Sequence, residues 1–202
     1  MRDTTHRSTR LEPEVRRQLI LDAAERVLAD RSPTDLTFEA VADAAGVSRA
    51  LVHNYFRDRT ALLLALGERS LVRLDRSLEA ALAGGDDLAT QLESLGRAYH
   101  DHARSDAATA ALLSRAGLLD HPDVLAARTR RVDTIAGHWG GTSDALVAAW
   151  AVTALLEVAE FTPLPPGSGA DALVRFVRDV IAPGLIERGV GPPRAVSSDD
   201  GG

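Results

Sequence analysis

The sequence contains no cysteine, and this absence excludes several kinds of chemistry together. Disulfides, cysteine-bound zinc, iron–sulfur clusters and a thiol nucleophile are all ruled out. Aromatic residues make up only 4% of the chain, so the core must be built mainly from alanine, leucine and valine. Because strand-favouring residues are scarce, we expect an all-α fold.

Long apolar segments are missing as well. The longest apolar run, Ala145 to Leu156, is interrupted by Thr153 and is shorter than the ~20 residues that a membrane-spanning helix needs. The first ten residues are polar and carry arginine, with no apolar stretch behind them, which is not the pattern of a secretory signal. We therefore expect a cytoplasmic protein without membrane contact.

Positive charge comes from arginine alone, since none of the 23 basic residues is lysine, and the net charge is −6. The acidic excess is uneven. Residues 1–60 carry ten arginines and ten acids, whereas residues 61–202 carry thirteen arginines and nineteen acids. This balance argues against a general nucleic-acid coat but leaves room for a small basic footprint near the start of the chain.

Capping and turn residues divide the sequence into helices, and no segment alternates with the period of a strand. Gly84-Gly85 and Gly140-Gly141 mark turns, and residues 162–169 form a proline-rich loop. The glycine- and proline-containing tail, residues 189–202, is expected to be disordered. About nine helices are predicted, over residues 13–29, 38–45, 49–55, 59–83, 87–104, 105–117, 122–137, 143–161 and 170–182.

Between Leu36 and Arg59, two short helices are predicted to meet at a tight turn. Gly46 supplies the positive φ that such a turn requires, and Ser48 caps the second helix. Small residues at the crossing allow the steep packing of a helix-turn-helix. The second helix then presents a short polar face suited to the major groove of DNA, formed by Arg49, Ala50, His53 and Asn54. A tight helical hairpin within a core is the alternative.

Three segments carry a recognisable pattern: QLILDAA at residues 18–24, TFEAVADAAGVS at 37–48 and LVHNYFRDR at 51–59. With Leu62 in register, the sequence over about residues 13–66 resembles the TetR (tetracycline repressor) family of bacterial regulators. It departs from the family pattern at His53, where the family has a tyrosine, and at Arg59, where the family has a lysine. Residues 31–34 also replace a common glycine.

The resemblance implies a ligand-responsive transcriptional regulator, a repressor by default, that binds a palindromic operator as a homodimer and is released by a small molecule. It implies a three-helix DNA-binding domain at residues 1–60 and a helical ligand-binding and dimerisation domain at 61–188.

Individual roles on DNA follow from the resemblance together with the geometry of the motif. Thr37, Ser48 and Arg59 suit phosphate oxygens, and Arg49 and Asn54 suit base edges. Two further residues have two interpretations each. Tyr55 contacts the DNA backbone or is a half-buried ring, and Arg17 contacts a flanking phosphate or belongs to a solvated face.

For the second domain, the resemblance implies a dimer interface and an effector pocket. The helix at 143–161 is apolar on nearly every side, so a partner chain is expected to cover part of it. The interface residues predicted are Trp150, Leu173, Phe176, Val177 and Val180, and a single monomeric core is the alternative. A pocket for a small hydrophobic or cationic effector is predicted from Tyr99, Leu113, Trp139, Trp150, Glu157 and Phe161. Alternatively, Glu157 pairs with an arginine and the rings belong to the core.

Signals for catalysis, cofactors and metals are absent from the sequence. No glycine-rich phosphate loop, H-E-x-x-H or G-x-S-x-G motif is present. His100 and His102 are two positions apart on a predicted helix, so their rings point to different faces and cannot share an ion. We predict no enzyme, no cofactor and no metal site; a helical enzyme and a protein-interaction module are the competing hypotheses.

Overall fold

A computed structural model of the chain describes residues 12–30, 36–161 and 171–193. Within these ranges every regular element is a helix, which confirms the all-α prediction. None of the helices described is long and apolar enough to cross a membrane. The nine described helices are α1 (Pro13–Asp30), α2 (Phe38–Ala45), α3 (Arg49–Tyr55), α4 (Arg59–Ala83), α5 (Leu88–Ser105), α6 (Ala107–Arg115), α7 (Pro122–His138), α8 (Ser143–Phe161) and α9, whose consecutive segments are Asp171–Phe176, Val177–Ile181 and Ala182–Glu187.

Side-chain caps fix where several of these helices begin. Thr37 accepts a hydrogen bond from the Ala40 N–H at 3.1 Å, and Asp58 accepts one from the Ala61 N–H at 2.8 Å. The predicted cap at Ser105 is wrong, because α5 continues through that residue and Asp106 occupies the junction with α6.

Two hydrophobic cores divide the molecule, and α4 belongs to both. The N-terminal core joins α1, α2 and α3 to the first half of α4, where Leu62 and Leu66 are buried, and it includes Leu112 and Leu113 of α6. The C-terminal core joins the second half of α4 to α5, α7, α8 and α9. Leu74 and Leu78 are the α4 residues there. Because one continuous helix crosses both cores, a displacement of one end of α4 is transmitted to the other.

A group of charged and polar side chains, which we call the polar junction, lies along α4 between the two cores. Its members are Asp22 and Glu25 of α1, Arg69, Ser70 and Arg73 of α4, and His102 and Asp106 near the α5–α6 connection. Arg69 donates to Asp22, and Arg73 donates both to Glu25 at 2.9 Å and to Asp106. Arg73 therefore ties α4 to α1 and to the start of α6 at once.

The sequence predicts that Pro183-Gly184 either ends or kinks the last helix near Ala182, and the helix does not end there. Instead, α9 continues to Glu187 through a π-helical segment, Val177–Ile181, that precedes Pro183. A proline ring clashes with the carbonyl four residues before it and has no N–H to donate, and a widened turn accommodates both defects.

The predicted disordered tail also begins too early. Gly189 reverses the chain with φ of 74°, and the Val190 N–H donates to the Leu185 carbonyl at 3.0 Å. Val190 is then only 3% exposed and packs in the C-terminal core. The predicted loops at 31–34 and 162–169, and residues 194–202 of the predicted tail, lie outside the described residues.

Candidate nucleic-acid interface

The turn between α2 and α3 has the tight geometry that the sequence predicts. Gly46 adopts the left-handed conformation, with φ of 66° and ψ of 34°, and its N–H bonds back to carbonyls of α2. The space around it is open, so the backbone angle and not crowding requires glycine. The Val47 N–H donates to the Ala42 carbonyl at 3.0 Å, and Ser48 accepts from the Leu51 N–H at 3.2 Å.

Helix α3 packs against the N-terminal core through its buried face. Val52 is fully buried and Phe56 nearly so. Arg26 of α1 donates to the Ala44 carbonyl at 3.1 Å, which fixes the end of α2 next to the turn. Arg59 Nε donates to the Leu36 carbonyl at 3.4 Å, linking the start of α4 to the segment that leads into α2. The helix is therefore pre-positioned, which limits the ordering cost of binding.

The outer face of α3 consists of the four residues that the sequence assigned to it. Arg49, Ala50, His53 and Asn54 are all exposed. Within the described ranges, the Arg49 guanidinium and the Asn54 amide make neither hydrogen bonds nor ion pairs. A guanidinium matches the acceptor edge of guanine, and a carboxamide matches the donor–acceptor edge of adenine. This face has the chemistry needed to read a major groove.

His53 also has a packing role. Its ring meets the ring of Phe38 of α2 edge to face, with centroids 4.5 Å apart. The contact orients the imidazole while leaving it exposed. Tyr55 is half-buried against the N-terminal core, as the second interpretation of that residue anticipated.

Arg17 faces the protein rather than open solvent. Its guanidinium lies 5.6 Å from the centroid of the Phe56 ring and 3.9 Å from a carboxylate oxygen of Glu68 on α4. Sequence reasoning missed a better-placed cation, Arg57, whose side chain is 93% exposed between α3 and α4. The RDR sequence at residues 57–59, with its capping aspartate, was the signal for it.

The five predicted pocket residues whose side chains the structure describes do not line a common pocket, and that prediction needs correction. Tyr99 is buried in the C-terminal core, and so is Trp139, whose Nε1 donates to Gln91 Oε1 at 2.9 Å. Leu113 packs instead against Gly67 of α4 in the N-terminal core, where a Cβ would lie 2.8 Å from Leu113 Cδ1. The Phe161 side chain lies outside the described residues.

Glu157 follows the alternative in which it pairs with arginine. It forms an ion pair with Arg128 at 3.1 Å and accepts a hydrogen bond from Arg131 at 3.3 Å, and Arg131 also donates to Asp75 at 2.7 Å. Trp150 is 64% exposed. Glu157 and Trp150 both line an open groove between α7 and α8 with a volume of about 780 Å³, which we call the α7–α8 groove.

Large apolar side chains lie exposed on α8 and α9. On α8 they include Val147, Trp150 and Val158, and on α9 they are Phe176, Val180 and Ile186. Leu173 is half-buried. Val177 is 1% exposed within the C-terminal core, so it cannot belong to the outer face as predicted. Val174 and Val177 are three positions apart and lie on the same buried face of α9.

The polar junction contains a mostly buried histidine. His102 Nε2 lies 3.3 Å from Ser70 Oγ, and Nδ1 lies 3.3 Å from a carboxylate oxygen of Asp106. Burial lowers the pKa of His102 below its ordinary value, because the loss of hydration outweighs the attraction of Asp106, and the positive charges of Arg131 and Arg73 act in the same direction as burial. The neutral ring is therefore favoured in the folded protein.

The capped turn, the exposed polar helix and the shared long helix together define a two-domain helix-turn-helix protein. Residues 20–66 match the family model described as bacterial regulatory proteins, tetR family. This part of the chain is therefore a TetR-family domain, and the relatives that match it are transcriptional regulators.

Known relatives agree with this assignment. The HTH-type transcriptional regulator BetI of Brucella canis is 44% identical over 72 residues, which are 36% of this chain and 36% of BetI. The match thus spans about a third of the length of that relative. A Rhodococcus protein of unknown function is 26% identical, with a TM-score of 0.68 over 89% of this chain and 98% of that one. LfrR of Mycobacterium smegmatis, a TetR-like regulator solved with proflavine, is 25% identical with a TM-score of 0.51 over 81% and 94%.

Proposed function

We propose that the chain is a cytoplasmic, ligand-responsive transcriptional repressor that binds a palindromic operator as a homodimer and releases it when a small molecule binds. The observation that carries the proposal is the outer face of α3. Its arginine and asparagine are exposed and unpaired within the described residues, on a helix that the N-terminal core holds rigidly. Such a surface has no evident role inside a lone protein.

The residues around α3 supply contacts to phosphate. Thr37 and Ser48 stand exposed at helix N-termini, where a hydroxyl and the positive end of the helix dipole favour phosphate oxygens. Arg57 and Arg59 are exposed on the other side of α3. We assign these four residues to positioning on the DNA backbone and the α3 face to reading of bases.

A homodimer is supported by the apolar side chains exposed on α8 and α9. Soluble monomers rarely leave several large apolar residues of one domain open to water. A two-fold pair of chains would bury those that lie outside the α7–α8 groove, such as Val158, Phe176 and Val180, and would present two α3 helices together. Two such helices fit successive major grooves when they are roughly 34–36 Å apart.

Release by a small molecule would act through α4. The helix begins beside the DNA-facing surface and ends in the C-terminal core, and Arg73 ties its middle to α1 and α6. A molecule that binds the C-terminal domain more tightly in one arrangement of α4 shifts the population towards that arrangement. Typical couplings of this kind are about 1–3 kcal/mol. The bound proflavine of LfrR supports a small-molecule effector for this chain.

A gel-shift assay with the DNA upstream of the chain's own gene tests the proposal. We expect a salt-sensitive, sequence-specific shift by the dimer that is lost in Arg49→Ala. Arg76→Ala is the matched control, since Arg76 is exposed on α4 away from α3. If the protein binds none of the fragments of that region specifically, the result would favour a protein-interaction module. Transcription that rises when the protein is added would contradict repression and leave DNA binding standing.

A further inference from the structure

The α7–α8 groove has the size and lining of a small-molecule site. Its volume of about 780 Å³ falls within the range of roughly 300–1,000 Å³ that such sites occupy. Apolar side chains from both helices form most of its wall: Leu125, Val132, Leu146, Val147, Trp150 and Ala154. An apolar body would displace water from this wall, and the indole ring of Trp150 offers it a flat surface.

A buried hydroxyl without a partner lies in the wall of this groove. Thr153 is 3% exposed, and its Oγ1 has no hydrogen-bond partner among the described residues. Neighbouring threonines on α7 behave differently, since Thr129 and Thr134 donate to the carbonyls of Leu125 and Arg130 at 3.1 and 2.9 Å. A buried hydroxyl without a partner carries a desolvation cost. A polar atom of a bound molecule would relieve that cost.

The carboxylates at the floor of the groove already have arginine partners. Glu157 forms an ion pair with Arg128 and accepts from Arg131, and Arg131 also pairs with Asp75. Asp133 is at the exposed rim, where water screens it. A charged group placed against Glu157 would compete with one of these pairs and leave a partly buried charge unpaired. An uncharged molecule would not.

We infer that the α7–α8 groove binds a neutral amphiphile, an uncharged molecule with an apolar body and one hydroxyl, carbonyl or amine group that hydrogen-bonds to Thr153. Glu157 is then part of the groove floor and does not recognise a cation. That this ligand is the effector rests on the proposed function, whereas its binding to the groove does not.

Two matched dyes test the charge requirement. N-phenylnaphthylamine is neutral and carries one N–H, and anilinonaphthalene sulfonate adds a sulfonate to the same ring system. Proflavine serves as the cation. Fluorescence titration of the full chain should show saturable binding of the neutral dye, with the sulfonate and proflavine at least tenfold weaker. Equal or tighter binding of either charged dye in the groove would overturn the proposal.

Two substitutions locate the binding. Thr153→Val removes the hydroxyl and keeps the shape, so the neutral dye should bind roughly three- to tenfold more weakly while stability is unchanged or higher. Thr129→Trp fills the groove from the exposed side of α7 and should weaken the dye at least tenfold. Thr134→Val and Thr134→Trp, on α7 but outside the groove, should bind like wild type. Wild-type binding by both groove variants, or no saturable binding by wild type, would overturn the inference.

The gel-shift assay separates this inference from the proposed function. If the neutral dye binds the groove as described but the protein shifts no DNA, the repressor proposal fails and the binding site stands. If DNA is shifted while the groove variants leave dye binding unchanged, the groove proposal fails alone.

Discussion

Arg49 and Arg59 lie on one exposed surface, yet the protein holds them differently. Arg49, at the first position of α3, makes no hydrogen bond or ion pair in the described part of the chain, so its guanidinium can reach a base edge. Arg59, at the first position of α4, donates from Nε to the Leu36 carbonyl, and its other nitrogens remain available to solvent or phosphate. We therefore expect the same residue type to serve specificity at Arg49 and general affinity at Arg59.

Arg49→Ala and Arg59→Ala should therefore weaken DNA binding in different ways. Arg49→Ala should lose about 1–3 kcal/mol at particular base pairs of each half-site. Arg59→Ala should weaken binding to all sequences alike and reduce the salt dependence. Fluorescence anisotropy on an operator and its single-base variants, at several salt concentrations, distinguishes the two. Unchanged base preference in Arg49→Ala would contradict the assignment of α3 as the reading helix.

His102 makes folding stability depend on pH. Its pKa is lowered in the folded protein, so below about pH 6.5 the unfolded chain binds more protons than the folded one. Stability should fall as the pH drops through about 6.5, and the loss should be complete below the folded pKa. The charged groups that act on the ring are Asp106, Arg131, Arg73 and Asp75.

Urea unfolding between about pH 7 and 5 measures this effect. His102→Gln should flatten the pH dependence of the unfolding free energy, whereas His138→Gln, at an exposed position at the end of α7, should leave it unchanged. Equal slopes for His102→Gln and wild type would show that the acid sensitivity comes from other groups.

At the scale of the element, the sequence predicted most of the helices because their signals are local. Caps and glycines fixed the bounds of α2, α3 and α4 to within a residue or two. The exposed face of α3 could be predicted because the opposite face is apolar. The buried face of α8 could not be predicted, since both of its faces are apolar. The contact of Arg17 with Glu68 was not predicted because the two residues are distant in sequence. For α9 the sequence allowed either an end or a kink at Pro183-Gly184, and local signals alone could not decide between them.

Arg73 offers a test of how the elements are tied together. Arg73→Met keeps much of the apolar stem but leaves Asp106 buried without its guanidinium partner. We expect a loss of about 1–3 kcal/mol in the unfolding free energy, together with weaker operator binding because α1 and α6 are released from α4. Arg76→Met, one turn away and exposed, is the control. Wild-type stability and operator affinity in Arg73→Met would show that the polar junction carries no coupling.

For the whole molecule, the decisive surface is the apolar one on α8 and α9. The chain as a whole is acidic, with a net charge of −6, so two chains repel each other weakly at long range. Burial of large apolar side chains gives about 25 cal/mol per Å², which readily outweighs this repulsion at contact. DNA binding by α3 and dimerisation by α8 and α9 should therefore be lost together when the interface is broken.

Val158→Asp or Phe176→Asp should convert the proposed dimer to monomers that bind operator at least tenfold more weakly, because each monomer contacts a single half-site. Val72→Asp, at an exposed apolar position on α4, should remain a dimer. Light scattering gives the mass, and anisotropy gives the affinity. A wild-type chain that is a stable monomer at micromolar concentration would refute the assembly.

Because α4 contributes to both cores, residues 1–60 alone should not fold as a domain when they are transferred to another protein. Consider a chimera in which the DNA-binding helices are joined to another regulator at residue 60. It would lack Leu62, Leu63 and Leu66, which complete the N-terminal core that supports α3. The junction belongs after Gly67, and the recipient must still supply a counterpart to Leu113, which packs at that glycine. Recombination between relatives should therefore tolerate breakpoints within α4 only where the α6 residues that contact α4 come from the same parent as α1 to α3.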